Sequence, residues 1–135
     1  MSEENVERFM QGIEAYNRRD PEALLEFMDA EVEWYPAILV GLGGGATVFR
    51  GHEGIRAMFR EVDENLAEIH VEVAEVQDLG DRILATGRLR TRGKTSGAAT
   101  ESPFGYIAHF RDDKAFLVQT YLDPADAMKA AGLSA

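Results

Sequence analysis

The stretch from Pro103 to Asp123, PFGYIAHFRDDKAFLVQTYLD, leaves a chain few ways to fold. Apolar residues occupy both alternating sets of positions, and the charged break falls at Asp112-Asp113. The pattern predicts two strands, Pro103–Arg111 and Lys114–Leu122, closed by a two-residue turn in which Asp tolerates a positive φ. Pairing Arg111 with Lys114 sets His109 opposite Phe116, Ile107 opposite Val118 and Gly105 opposite Thr120. On that register Gly105, Ile107, His109, Phe116, Val118, Thr120 and Leu122 share one face of the hairpin. The other face carries Phe104, Tyr106, Ala108, Phe110, Leu117, Gln119 and Tyr121. With both faces largely apolar, the hairpin is expected to be covered on one side by the chain's own helices and on the other by a second subunit.

The elements before it follow from periodicity and caps. Val6, Phe9, Met10, Ile13 and Tyr16 or Asn17 form a helical stripe ending near Arg19, with Gly12 inside the helix. Gly12 serves either close packing or space for a ligand. Asp20-Pro21 starts a short second helix, Pro21–Met28, and a strand follows at about Glu31–Pro36 with Val32 and Trp34 on one face. A third helix runs from Gly51 to about Asn65 on Ile55, Met58, Phe59 and Val62, and His52 at its start is read as a capping or surface residue. Ile69–Gln77 and Arg82–Arg92 make a first long hairpin, and Asp123-Pro124 opens a final short helix. The sum is α+β: a curved, mostly antiparallel sheet wrapped on three helices from the N-terminal half, with a short C-terminal helix, read as one domain over 1–135.

Ala37–Phe49 is the irregular part. Its GLGGGA formally matches a dinucleotide fingerprint at Gly41, Gly43 and Ala46. That fingerprint needs a strand, a tight turn and an immediate helix, whereas three successive glycines disfavour a helix. A flexible apolar flap beside a pocket is the better reading, with a surface loop as the alternative.

A net charge of −10 argues against nucleic acid and anionic membranes as partners. Arg88, Arg90 and Arg92 alternate on a strand, but Glu68, Glu72, Glu75 and Glu101 are at hand to form a charge ladder. No cysteine is present, which removes disulfides, thiol catalysis and the strongest zinc ligands. The three histidines, 52, 70 and 109, show no helical pairing, so no metal or cofactor is expected. No run approaches the roughly 18 apolar residues of a membrane span, and a soluble cytoplasmic protein is the expectation.

The element order, with EAYNRRDPEALLEFMDAEVEW (Glu14–Trp34), FRGHEGIRAMF (Phe49–Phe59) and HFRDDKAFLVQTYLD (His109–Asp123), resembles the nuclear-transport-factor-2-like superfamily and, within it, the SnoaL-like proteins. The resemblance implies a cone-shaped pocket between bent sheet and helices, and a homodimer through the outer sheet face. Members include ketosteroid isomerase, limonene epoxide hydrolase, polyketide cyclases and non-catalytic proteins, so the residues must decide.

Against ketosteroid isomerase, the base position falls at Trp34 or Tyr35 and the helix-one tyrosine at Gly12. The supporting tyrosine falls at Phe59 and the protonated acid near Tyr106 or Ile107. Each key group is missing. Limonene epoxide hydrolase resemblance wants an Arg and an Asp two apart on a strand, which Arg88-Leu89-Arg90 does not supply. The polyketide cyclase comparison leaves His109 and Asp123 as candidate acid–base residues on the final hairpin. Each has a plainer role open to it, strand-end surface for His109 and helix cap for Asp123. Gly12, Trp34, Phe59, Tyr106, Ile107, Val118, Thr120 and Leu122 are the expected pocket lining. The function expected is either a cofactor-independent isomerase, cyclase or dehydratase acting on an apolar polyketide-, aromatic- or terpenoid-like substrate, or a non-catalytic hydrophobic-ligand-binding or dimerisation module.

Overall fold

The computed structural model describes residues 2–36 and 48–133. Helix α1 (Ser2–Asn17) leads to α2 (Pro21–Leu25), strand β1 (Met28–Tyr35), the two-residue strand β2 (Phe49–Arg50) and helix α3 (Gly51–Asn65). Strands β3 (Leu66–Asp78), β4 (Arg82–Gly93), β5 (Ala99–Arg111) and β6 (Lys114–Tyr121) follow, then helix α4 (Pro124–Ala130). They form an α+β architecture around one six-stranded sheet of order β2-β1-β6-β5-β4-β3. Among the described strands, β1 and β6 run parallel and the other neighbours antiparallel. The glycine-rich stretch expected to be a flap lies outside the described residues from 37 to 47. No described helix is long and apolar enough to cross a membrane.

Both Asp-Pro pairs act as helix starts. Asp20 accepts a hydrogen bond from the Ala23 amide at 3.1 Å, and Asp123 accepts one from the Ala125 amide at 2.9 Å. The second helix stops at Leu25, short of the expected Met28. Sheet pairing overrides helix propensity there: the Ala115 amide donates to the Phe27 carbonyl at 2.9 Å, and Met28 already pairs with Ala115 as β1 begins. The arginine face of β4 forms the expected ladder, with Arg90 3.2 Å from Glu72, Arg92 3.6 Å from Glu68, and Arg88 bonded to Glu101.

The long β5–β6 hairpin departs from the simple register. Asp112 and Asp113 both take positive φ, as a two-residue turn requires, and Arg111 pairs with Lys114 and Phe110 with Ala115. A β-bulge then leaves Phe116 extra, so His109 pairs with Leu117, Ile107 with Gln119 and Gly105 with Tyr121. The slip moves one strand's side chains to opposite faces. Val118 and Thr120 join Tyr106 and Ala108 on the inner face, while Leu117, Gln119 and Tyr121 join Ile107 and His109 outside. Phe116 stays outside, with the Arg111 guanidinium 4.6 Å over its ring.

Helix α4 covers part of the outer face, where a second subunit was expected. Ala127 and Ala131 pack with Leu84 and Ile107 in a cluster separate from the main core. Gly105 makes that approach possible, because a Cβ there would lie 2.7 Å from the Ala127 Cβ. Ile107 is therefore a seat for α4 and no part of the interior lining.

Asn17, the last residue of α1, ties the helix to the sheet. Its Nδ2 donates to the Val71 carbonyl and its Oδ1 accepts from the Val71 amide, both at 2.9 Å. Asn17→Ala strands both β3 backbone groups and should cost about 2 kcal/mol, read as a lowered urea midpoint. An unchanged midpoint would show that water replaces the side chain at no cost.

Candidate functional site

Between α1, α2 and the inner sheet face lies a hollow of about 40 Å³. Helix α1 supplies Arg8, Phe9, Gly12, Ile13 and Tyr16, which recur at three- and four-residue spacing and so share one stripe. Leu24, Phe27 and Met28 close one side. The floor is Trp34 of β1, Tyr106, Ala108 and Phe110 of β5, and Ala115 and Val118 of β6. Tyr16, Trp34 and Tyr106 are buried, whereas Arg8, Phe27 and Phe110 are half-buried and mark the rim. Gly12 borders the hollow, and a Cβ on it would touch Leu24 Cδ1 at 3.4 Å.

Aromatic rings frame the hollow. Tyr16 stacks on Trp34 at 5.9 Å with planes 8° apart, and Phe59 meets Tyr16 edge-on at 5.7 Å. Tyr106 stands edge-on to Trp34, Phe9 and Phe104, at 6.0, 6.0 and 4.6 Å. Offset and edge-on geometries are those that aromatic quadrupoles favour.

Two phenols sit in this apolar surround. Burial raises the Tyr16 pKa far above that of a free phenol, with the Arg19 charge opposing. Burial likewise raises Tyr106, and the Tyr16 phenol adds to the effect. Both stay protonated and neutral at physiological pH. Among the described residues, neither hydroxyl has a hydrogen-bond partner. They can donate a hydrogen bond to a bound molecule but cannot take up a proton.

The residues expected to do the chemistry sit elsewhere. His109 is on the outer face, its ring 6.0 Å from Phe116, and it is paired across the sheet with Arg82 and Leu117. Partial burial lowers its pKa, a hydrogen bond with the Gln119 side chain raises it, Arg82 lowers it, and Asp81 raises it. Asp123 is exposed, and its cap on α4 accounts for it. The structure thus brings neither group to the hollow, because the bulge at Phe116 keeps His109 outside and Asp123 lies beyond the end of β6.

Of the expected lining, Gly12, Trp34, Tyr106 and Val118 meet at the hollow. Phe59 is buried one layer behind, against Tyr16. Thr120 is buried facing inward, with its hydroxyl donating to the Tyr35 carbonyl at 2.7 Å at the edge of β1. Leu122 follows the end of β6 and is 43% exposed, so it leaves the lining, as Ile107 does. Sequence reasoning passed over Arg8 and Tyr16 as site residues. The signal was present in the α1 stripe, which reads as core until the helix is seen to border a hollow. Among the described residues, no group of three or more His, Asp or Glu side chains is placed to hold a metal ion.

The SnoaL-like domain family matches residues 6–118, most of the chain. The chain belongs to that family. Among solved structures, a nuclear-transport-factor-2-like protein of unknown function from Burkholderia pseudomallei superposes with a TM-score of 0.80 at 24% identity, covering 93% of this chain and 95% of its own. TerC, co-crystallised with polyporic acid, gives 0.79 at 24% identity over 93% and 96%. A Catenulispora acidiphila protein with a ketosteroid isomerase-like fold, in complex with trimethylamine, gives 0.75 at 18% identity over 94% and 93%. No curated protein matches the sequence. At these identities the likeness establishes the nuclear-transport-factor-2-like fold, and the activity of this SnoaL-like chain has to be argued from its own residues.

Proposed function

We propose that this SnoaL-like protein binds a small, largely apolar molecule between α1 and the inner sheet face and holds it without turning it over. One observation carries the reading: the described lining contains no carboxylate and no imidazole. Its ionisable groups are two phenols held neutral and one arginine at the rim. Isomerisation, cyclisation or dehydration needs a group that both accepts and returns a proton near working pH. None lines this hollow among the described residues. That TerC and the C. acidiphila protein were each captured with a small molecule supports ligand binding by this fold.

The size of the hollow constrains how a ligand enters. Drug-sized sites run to several hundred Å³, about tenfold more than the 40 Å³ here. A ring-sized ligand therefore enters by displacing the half-buried rim residues Phe27 and Phe110 and settles against Tyr16, Trp34 and Tyr106. Apolar contact supplies the affinity, and the free phenol hydroxyls favour ligands that carry an oxygen acceptor.

Trp34 is the chain's single tryptophan and lies in the wall of the hollow, so its emission reports occupancy. Titration with 1-naphthol and 1,4-naphthoquinone should give saturable one-to-one quenching, and prolonged incubation should return the ligands unchanged. Gly12→Leu, which fills the hollow beside Leu24, should weaken binding about tenfold or more. Quenching that never saturates, or catalytic turnover of an enone or β-hydroxyketone panel, contradicts the reading.

The same reading includes self-association through the outer face beyond α4. Tyr35 is 37% exposed there, beside half-buried Phe116 and Leu117. Sedimentation velocity should give twice the chain mass, and Leu117→Glu should return a monomer.

A further inference from the structure

Arg8 is the one charged side chain on the described lining. Its Nη1 is buried and has no hydrogen-bond partner. The nearest carboxylates are Glu4 at 3.6 Å and Asp113 at 3.5 Å, both beyond the 2.7–2.9 Å of a charge-assisted hydrogen bond. Both are more than half exposed, so water screens their pull on the guanidinium. A buried guanidinium N–H with no acceptor is costly, and surface charges at such distances offset little of it. One helical turn back on α1, Asn5 Oδ1 is also buried and unpartnered. The hollow thus has a guanidinium with an unpartnered Nη1 at its rim and aromatic rings in its interior.

We propose, building on the binding reading above, that the ligand is a small aromatic acid, with its apolar body in the hollow and its carboxylate on Nη1 of Arg8. The guanidinium is permanently charged and its planar N–H groups match carboxylate geometry. An acid bound there gives Nη1 its missing acceptor and neutralises the one charge on the described lining. It does so by competing with Glu4 and Asp113, whose long, solvated pairs are the weaker alternative. A neutral molecule of equal shape leaves Nη1 as it stands and gains apolar contact alone.

The test compares benzoate, phenylacetate and 2-naphthoate with their primary amides, which match them in shape and lack the charge, by Trp34 emission. In the unmodified protein each acid that binds should do so about tenfold or more tightly than its amide, and its affinity alone should fall with added salt. Arg8→Met should abolish that preference, so that each acid binds no more tightly than its amide. Asp113→Asn, which removes a competing carboxylate, should tighten the acids and leave the amides unchanged. Acids and amides binding alike, or a preference that survives Arg8→Met, overturns the assignment to Arg8 while the bound amides leave the hollow's role standing. If the folded protein binds neither acids nor amides, the binding reading fails and this inference fails with it. Should Arg8→Met not fold, the acid-to-amide ratio and salt response of the unmodified protein decide the question alone.

Discussion

Raised from about pH 10 to about pH 12, the protein should lose stability steeply while two of its four tyrosines stay silent until it unfolds. Burial holds the Tyr16 and Tyr106 pKa values well above the ordinary 10.0. In the unfolded chain both phenols ionise near 10, whereas in the folded chain they cannot. Above that pH the unfolded state therefore binds fewer protons, so stability falls as pH rises. It is fully present below the unfolded pKa and is lost on the way to the folded one. Each phenol contributes about 1.4 kcal/mol per pH unit, so the pair removes about 5 kcal/mol over two units, comparable to the whole stability of many domains. Absorbance at 295 nm counts the phenolates, and urea midpoints from far-UV circular dichroism follow the stability. Tyr35, raised mainly by its hydrogen bond to Glu33, and Tyr121, raised mainly by burial, should ionise in the folded state, somewhat above the ordinary range. Tyr16→Phe and Tyr106→Phe should each flatten the alkaline slope by about half. Four tyrosines ionising together near pH 10 in a folded protein would show that water reaches the hollow.

Trp34→Ala should cost about 3–5 kcal/mol, the usual range for deleting a buried aromatic. Trp34 is 5% exposed, stacks on Tyr16, meets Tyr106 edge-on and forms part of the hollow's floor. Its removal merges an existing void with a larger one, and the stiff sheet beneath limits collapse. Urea melts followed by circular dichroism measure the loss, since the variant has no tryptophan to report. Trp34→Phe, which keeps a ring against Tyr16, should cost less than half as much. A loss below about 1 kcal/mol for the alanine variant would mean that the aromatic frame is not a structural unit.

Much of this was readable from residue order. Asp20-Pro21 and Asp123-Pro124 mark helix starts because Asp and Pro each satisfy a local requirement at that point. The strands of the last hairpin and its Asp112-Asp113 turn were readable for the same reason: alternation and turn chemistry are local. Facing was less accessible. The bulge at Phe116 inserts one residue without a glycine or proline to announce it, and that single slip moves Ile107 and His109 off the face shared with Val118 and Thr120. It also explains why His109, chemically the most plausible base, lies outside. Trp34, Gly12, Tyr106 and Val118 meet at the hollow because β1, α1, β5 and β6 converge there. Arg8 and Tyr16 were hidden by the opposite problem. An amphipathic stripe looks the same whether it packs solidly or borders a cavity, and the unused hydrogen-bonding groups appear only in three dimensions.

Ligand binding here depends on an apolar space beneath α1, whose described walls hold two neutral phenols and neither a carboxylate nor an imidazole. Crystals pressurised with xenon test it most directly, since xenon collects in dry apolar cavities. Xenon should appear between Tyr16, Trp34, Tyr106 and Val118. Ordered water bridging the two phenol hydroxyls, or side chains filling that space with no room for the gas, would contradict it.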